Sequence, residues 1–312
     1  MPEKRIAGAV LTILLLASIL SAVYLALDRE VSNAGRLIKR KSLSFSKKPS
    51  IGIVEIYGEI YASSEGGFMS KSGFQNTLDT LKGYREDDRV KAVIIRINSP
   101  GGTIGAVQEI TQEIARLREA GKPVVASVAD IAASGGYYIA SACDEIVVND
   151  GSVLGSIGVI FVSPDFSELM KKIGMNIETI KSGPYKDAGS FHRPFSQEEK
   201  KLLGELVDDA YEQFVSAVSK GRGIPDKKVR ELAKGQIFTG RMAKKLGLAD
   251  TTGDLTVAKE RAERLLGIEE SVLVKQPQPN IYRILRLISQ KSSLSEIIGQ
   301  KRLSGLAYLY NP

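Results

Sequence analysis

A serine framed by small residues, Ala132-Ala133-Ser134-Gly135-Gly136, has the surroundings that a nucleophile needs. Acyl transfer requires N–H donors aimed at the oxygen that becomes negative, and Gly135 places one beside the hydroxyl. A second glycine pair stands in Asn98-Ser99-Pro100-Gly101-Gly102. Either Gly101 or Gly102 can turn the backbone there and supply the other donor. The plainer reading of both segments is structural. Serine is a favoured helix N-cap, small residues let a helix pack closely, and Ser99 to Gly102 can be an ordinary tight turn.

A serine hydroxyl stays protonated at neutral pH, so a nucleophile here needs a base. His192 is the only histidine. The other option is a lysine, and Lys186 stands in Lys181-Ser182-Gly183-Pro184-Tyr185-Lys186-Asp187. A lysine works as a base only when neutral. Bringing an amine from about 10.4 to 7–8 takes roughly 4 kcal/mol of differential stabilisation, mainly by burial. A carboxylate paired with the amine opposes that, so Asp187 is expected to point away from Lys186. Against a catalytic role stands the number of cations: with 43 Lys and Arg in the chain, a solvated surface lysine is the plain alternative.

These residues have to be positioned by a sheet. Ser50 to Ile60 reads as a strand, 74–84 as a helix and 90–98 as a strongly apolar strand. Thr103 can cap a helix running to about Ala120. A strand over 124–130, a short helix after Ser134 and a strand from Glu145 follow. This alternation predicts an α/β fold with a mostly parallel sheet and helices packed outside it. Both glycine-rich turns then open at strand C-terminal ends, the edge where such sheets bind ligands. Asn176 to Gly183 is strand-like, a long helix spans 197 to about 220, and shorter helices fall near 225–234, 240–247 and 255–266.

Composition sets further bounds. The chain of 312 residues is 43% hydrophobic and 25% charged, as globular proteins are. One cysteine, Cys143, allows no internal disulfide, and one histidine without a CxxC predicts no metal site; no cofactor is expected. The stretch from 6 to 27 carries no charge, between Lys4-Arg5 and Asp28-Arg29. As a helix it reaches roughly 33 Å, enough to cross a bilayer. No A-x-A cleavage motif closes the stretch before Asp28, so it reads as an uncleaved anchor. The division expected is 1–28 tail and transmembrane anchor, 29–49 basic linker, 50–275 catalytic domain and 276–312 linker and tail. Much of the net charge of +7 lies in the linker. Without interleaved aromatics this indicates a membrane-proximal segment, and no nucleic-acid partner is expected. By the positive-inside rule, a basic linker after the anchor would lie in the cytoplasm.

Six segments, in order over roughly residues 50 to 270, make the chain resemble the signal peptide peptidase A family in its short, single-repeat form. They are Asn98-Ser99-Pro100-Gly101-Gly102, Ala133-Ser134-Gly135-Gly136-Tyr137-Tyr138, Gly155-Ser156-Ile157-Gly158-Val159, Ser182-Gly183-Pro184-Tyr185-Lys186-Asp187, Phe238-Thr239-Gly240-Arg241 and Lys245-Leu246-Gly247-Leu248-Ala249-Asp250. The resemblance implies a layered α/β fold of the Clp protease and crotonase type. It implies a serine–lysine dyad with Ser134 as nucleophile, Lys186 as general base and Ser156 orienting the lysine. Gly101 and Gly135 would form the oxyanion hole. It implies signal-peptide remnants as substrates, a catalytic domain on the outer face of the cytoplasmic membrane, and a homo-oligomeric ring with active sites shared between subunits. His192 lies outside all six segments. Two other readings share the architecture: a serine–lysine peptidase that cuts stomatin-like membrane proteins, and a crotonase-like acyl-CoA enzyme. The apolar segment Leu303 to Tyr310 resembles a signal-peptide core. It can enter the substrate groove of its own or a neighbouring subunit, or lie as an amphipathic tail on the membrane or in a subunit contact.

Overall fold

A computed structural model describes residues 48–62, 73–275 and 306–309. The anchor expected at 6–27 and most of the two linkers lie outside them. Among the described residues, no helix is long and apolar enough to cross a membrane.

The strands are β1 (Ser50–Tyr57), β2 (Val90–Ser99), β3 (Gly101–Thr103), β4 (Val124–Ala133), β5 (Glu145–Val148), β6 (Val153–Gly155), β7 (Ile160–Phe161), β8 (Ile237–Thr239), β9 (Thr251–Thr252), β10 (Val272–Val274) and β11 (Leu306–Leu309). Helices α1 (Gly73–Glu86), α2 (Ile104–Glu119), α3 (Gly135–Ser141) and α4 (Ser167–Lys172) precede α5 (Gln197–Arg222). Helices α6 (Asp226–Leu232), α7 (Gly240–Lys245) and α8 (Leu255–Leu266) follow. The main sheet runs β10-β1-β2-β4-β5-β9, with β6 beside β4 and β8 beside β6. Every pairing in it is parallel except β6 with β8. This mixed α/β, mostly parallel architecture fits the Clp and crotonase type.

β2 explains why the sheet is buried on both faces. Its run Val-Lys-Ala-Val-Ile-Ile-Arg-Ile is almost continuously apolar, as strands covered on both sides are. Val93, Ile95 and Ile97 enter the larger core with Leu81 of α1, Ile110 and Ile114 of α2, Tyr137 of α3 and Phe214 of α5. Ala92 and Ile94 face the opposite core, which α8 closes with Ala258 and Ala262.

Two departures from the sequence reading bear on the site. β4 continues past Asp130 to Ala133 because it changes neighbour. Val125–Val128 pair with β5, whereas Ile131–Ala133 pair with β6. The register of β2 against β4 shifts between Ile97 and Ser99, where the switch occurs. Asn98 holds this kink: its Oδ1 accepts from the Ile131 N–H at 3.2 Å and its Nδ2 donates to Asp130 at 3.1 Å. The second departure is at 176–183, which forms no strand. Its β-branched residues find no sheet edge to pair with, and Ile177 and Ile180 are exposed.

A second, three-stranded sheet has β11 at its centre, antiparallel to β3 on one side and β7 on the other. Leu309 lies opposite Gly101 and Tyr308 opposite Gly102, while Leu306 lies opposite Phe161. The chain's own C-terminal residues therefore complete this sheet.

Candidate active site

Ser134 ends up where β4 stops and α3 begins. Its backbone has φ 50° and ψ −117°, outside the regions that a serine normally occupies. Such a conformation costs about 1–3 kcal/mol and persists only where its surroundings enforce it. Here they do: the Ser134 N–H donates to Gly155 O at 2.8 Å, and Gly136 packs so closely that a Cβ there would stand 2.8 Å from Ser99 O. The sharp turn is the device by which strand-to-helix nucleophile elbows present a hydroxyl. Ser134 occupies the N-cap position of α3, but its side chain makes no capping hydrogen bond. Ser134 is 1% exposed, and its Oγ is buried without a hydrogen-bond partner in the described structure. A buried hydroxyl normally finds a partner, and Ser134 Oγ has none among the described residues.

The sheet brings three of the other expected residues to this point. Ala133 pairs with Gly155, which places Ser156 beside Ser134; Ser156 also has a positive φ, 50°. Gly135 is the first residue of α3, so its N–H has no partner within the helix. Gly101 arrives from β3, with its N–H donating to Ser99 Oγ at 3.1 Å. Gly101 O and the Thr103 N–H bond Ile60, so strand alternation turns the amide of Gly102 to the opposite side, where β11 runs.

Lys186 lies elsewhere in the turn 183–190. Its backbone N–H donates to Gly183 O, its side chain is exposed, and it forms no hydrogen bond to Ser134. The Asp187 carboxylate is bound to other residues, Lys181 and Arg193. One carboxylate oxygen accepts from Lys181 at 2.6 Å and from Arg193 Nη2 at 2.7 Å; the other accepts from Arg193 Nε at 3.0 Å. These bonds, Arg193 first and Lys181 second, hold the Asp187 carboxyl far below the usual carboxylate range. Arg193 also donates from Nη1 to Glu199 at 2.8 Å, and this bond lowers the Glu199 carboxyl to about 2. Glu199 is 2% exposed and closes a capping box with Ser196 at the start of α5. Neither Arg193 nor Glu199 stood out in the sequence. The available signal was their even spacing after Asp187, with no period of helix or strand to give it meaning. His192 bonds Thr179 at 3.3 Å and packs edge-on against Phe191, contacts that leave it outside the serine turn.

Residues 116–269 match peptidase family S49. A protein of Synechocystis sp. named as a protease is 42% identical over 258 residues, covering 81% of this chain and 89% of its own. The chain belongs to peptidase family S49. An Enterococcus faecium protein named as signal peptide peptidase SppA is 39% identical over 64% of this chain and 59% of its own. A chloroplast serine protease, SPPA, of Arabidopsis thaliana is 36% identical over 85% of this chain and 41% of its own. The chain is a serine peptidase of the SppA kind, in the short form.

Proposed function

We propose that this peptidase is a membrane-anchored endopeptidase that uses a Ser134–Lys186 dyad to hydrolyse signal-peptide remnants and similar apolar peptides. The observation that carries the reading is Ser134 Oγ, buried and unpartnered on a strained turn. Beside it lies a groove between β3 and β7 that accepts an extended strand. In this mechanism neutral Lys186, oriented by Ser156, takes the Ser134 proton as Oγ attacks the peptide carbonyl. The Gly135 N–H and the Gly101 N–H, which exchanges Ser99 Oγ for the substrate, stabilise the oxyanion. The lysine ammonium returns the proton to the leaving amine, and water then cleaves the acyl-enzyme by the same route. Serine and base are unpaired within one chain, which favours a homo-oligomeric ring in which Lys186 of one subunit serves Ser134 of the next. An acyl-CoA activity has no comparable support, because nothing in the site calls for a strained, unpartnered serine to stabilise an enolate.

A fluorophosphonate probe tests the nucleophile. It is expected to label wild type at Ser134, and mass spectrometry of signal-peptide digests is expected to show cuts within the apolar core. Digestion of an intact membrane segment in preference to signal peptides would favour the stomatin-type substrate instead.

The anchor places the catalytic domain on the outer face of the cytoplasmic membrane in this reading. Large domains translocate regardless of flanking charge, so the basic linker does not fix the orientation. Added protease is expected to degrade the domain in intact spheroplasts; full protection there would reverse the topology.

The strand β11 occupies the groove that a substrate would use, so the tail competes with substrate. A tethered segment reaches an effective concentration of order mM. Truncation after Gln276 is expected to lower the apparent KM for a short fluorogenic peptide several-fold, with kcat and assembly retained. An unchanged KM would assign β11 a structural role.

A further inference from the structure

We propose that Arg193 is a positioning residue for the catalytic base: by holding both carboxylate oxygens of Asp187, it keeps that carboxylate off the adjacent Lys186 amine. The proposal rests on the serine–lysine reading and adds a residue to it. A base lysine beside an aspartate is a local conflict, because an ion pair between them favours the charged, useless form of the amine. The structure resolves the conflict by geometry. Asp187 has a side chain only 10% exposed, and Arg193 grips it with a fork that takes one N–H to each oxygen. The same guanidinium donates to Asp187 O at 3.3 Å, so it fixes the backbone next to Lys186 as well as the side chain.

Lys181 reaches only one of the two oxygens, Oδ1. Oδ2 depends on Arg193 alone. Arg193 is itself anchored by Glu199, buried in the first turn of a 26-residue helix, through a second pair of hydrogen bonds. The chain of contacts therefore runs from a rigid helix end to the residue flanking the base. A lysine at 193 could match the charge but not the two-pronged grip on two carboxylates. The other ionisable groups around Asp187 do not offer Oδ2 a replacement. Tyr185, Ser196 and Glu198 line the same cavity as Lys181, Arg193 and Glu199, and none of the three bonds the Asp187 carboxylate. His192 is engaged with Thr179.

The test is the pH profile of kcat/KM for full-length wild type, Arg193→Gln and the double variant Arg193→Gln/Asp187→Asn, on a short fluorogenic peptide. In Arg193→Gln, Oδ2 loses its donor while Lys181 keeps Oδ1, and the freed oxygen meets the amine. The rising limb of the profile is expected to move up by about one pH unit, and activity at pH 7.5 to fall about tenfold. Removing the carboxylate in the double variant is expected to return both to near wild type. A purely structural role for Arg193 predicts a loss that the second substitution does not repair. An unchanged Arg193→Gln profile overturns the proposal, and so does a loss, with or without misfolding, that persists in the double variant. Lys186→Ala separates this from the underlying mechanism: activity retained there would sink the dyad itself, whatever Arg193 does.

Discussion

Replacing Ser134 by Ala, or Lys186 by Ala, is expected to reduce peptide hydrolysis by a factor on the order of 10⁴ or more, with the fold intact. His192→Ala is expected to stay within about threefold of wild type. The serine prediction follows from the elbow: no other hydroxyl of the site combines a positive φ with complete burial and a free Oγ. Losing Oγ removes the atom that forms the covalent bond, and residual activity can come only from the oxyanion donors and binding. Folding is expected to survive Ser134→Ala because the hydroxyl makes no hydrogen bond that the fold would miss. The lysine prediction has a different basis. Lys186 is exposed in the single chain and its side chain makes no hydrogen bond there, so its removal is expected to leave the fold intact. A large activity loss without a change in thermal midpoint therefore isolates a chemical role. Full activity in Lys186→Ala together with loss in His192→Ala would replace the dyad by a serine–histidine pair.

The parts of the site legible in the sequence are those where chemistry and backbone geometry demand the same residue. Gly135, Gly136, Gly101 and Gly102 announced turns at strand ends, and the fold puts those turns side by side at the end of β2 and β4. The strongly periodic elements were equally legible. The amphipathic spacing of Val107, Ile110, Ile114 and Leu117 marks α2, and the long amphipathic run from Gln197 marks α5. Short strands were not. β3, β6, β7 and β8 have two or three residues each, too few to show a period, and they exist only because a neighbour offers hydrogen bonds. The converse failure occurred at 176–183, where a good strand pattern has no partner. The Asp187–Arg193–Glu199 network was invisible for the same reason. Its meaning depends on a turn that folds residues six apart onto one another, and no local rule specifies that turn.

Gly102→Ala is expected to abolish most activity, about 100-fold or more, although the substitution adds a single methyl group. A Cβ on Gly102 would lie 1.7 Å from Ile60 O and 2.5 Å from Ile60 C. Both are backbone atoms, and the contact is flanked by the Ile60 N–H bond to Gly101 O and the Thr103 N–H bond to Ile60 O, each 2.8 Å. Neither side can rotate out of the way, so β3 itself has to move, by roughly 1 Å or more. A displacement of that size at a reacting centre costs on the order of 100-fold. It falls on the strand that carries Gly101 and pairs with the extended segment in the groove. The stability cost is expected to be about 1–3 kcal/mol, the range for overpacked interiors. Gly105→Ala is the matched control. Three residues along, in the first turn of α2, its Cβ meets nothing within 4 Å. Alanine there gains helix propensity of about 0.5–1 kcal/mol and is expected to leave kcat/KM within twofold. Measuring kcat/KM, fluorophosphonate labelling of Ser134 and thermal midpoint on both variants separates the effects. If Gly102→Ala hydrolyses peptide as Gly105→Ala does, β3 is not the wall of the substrate groove.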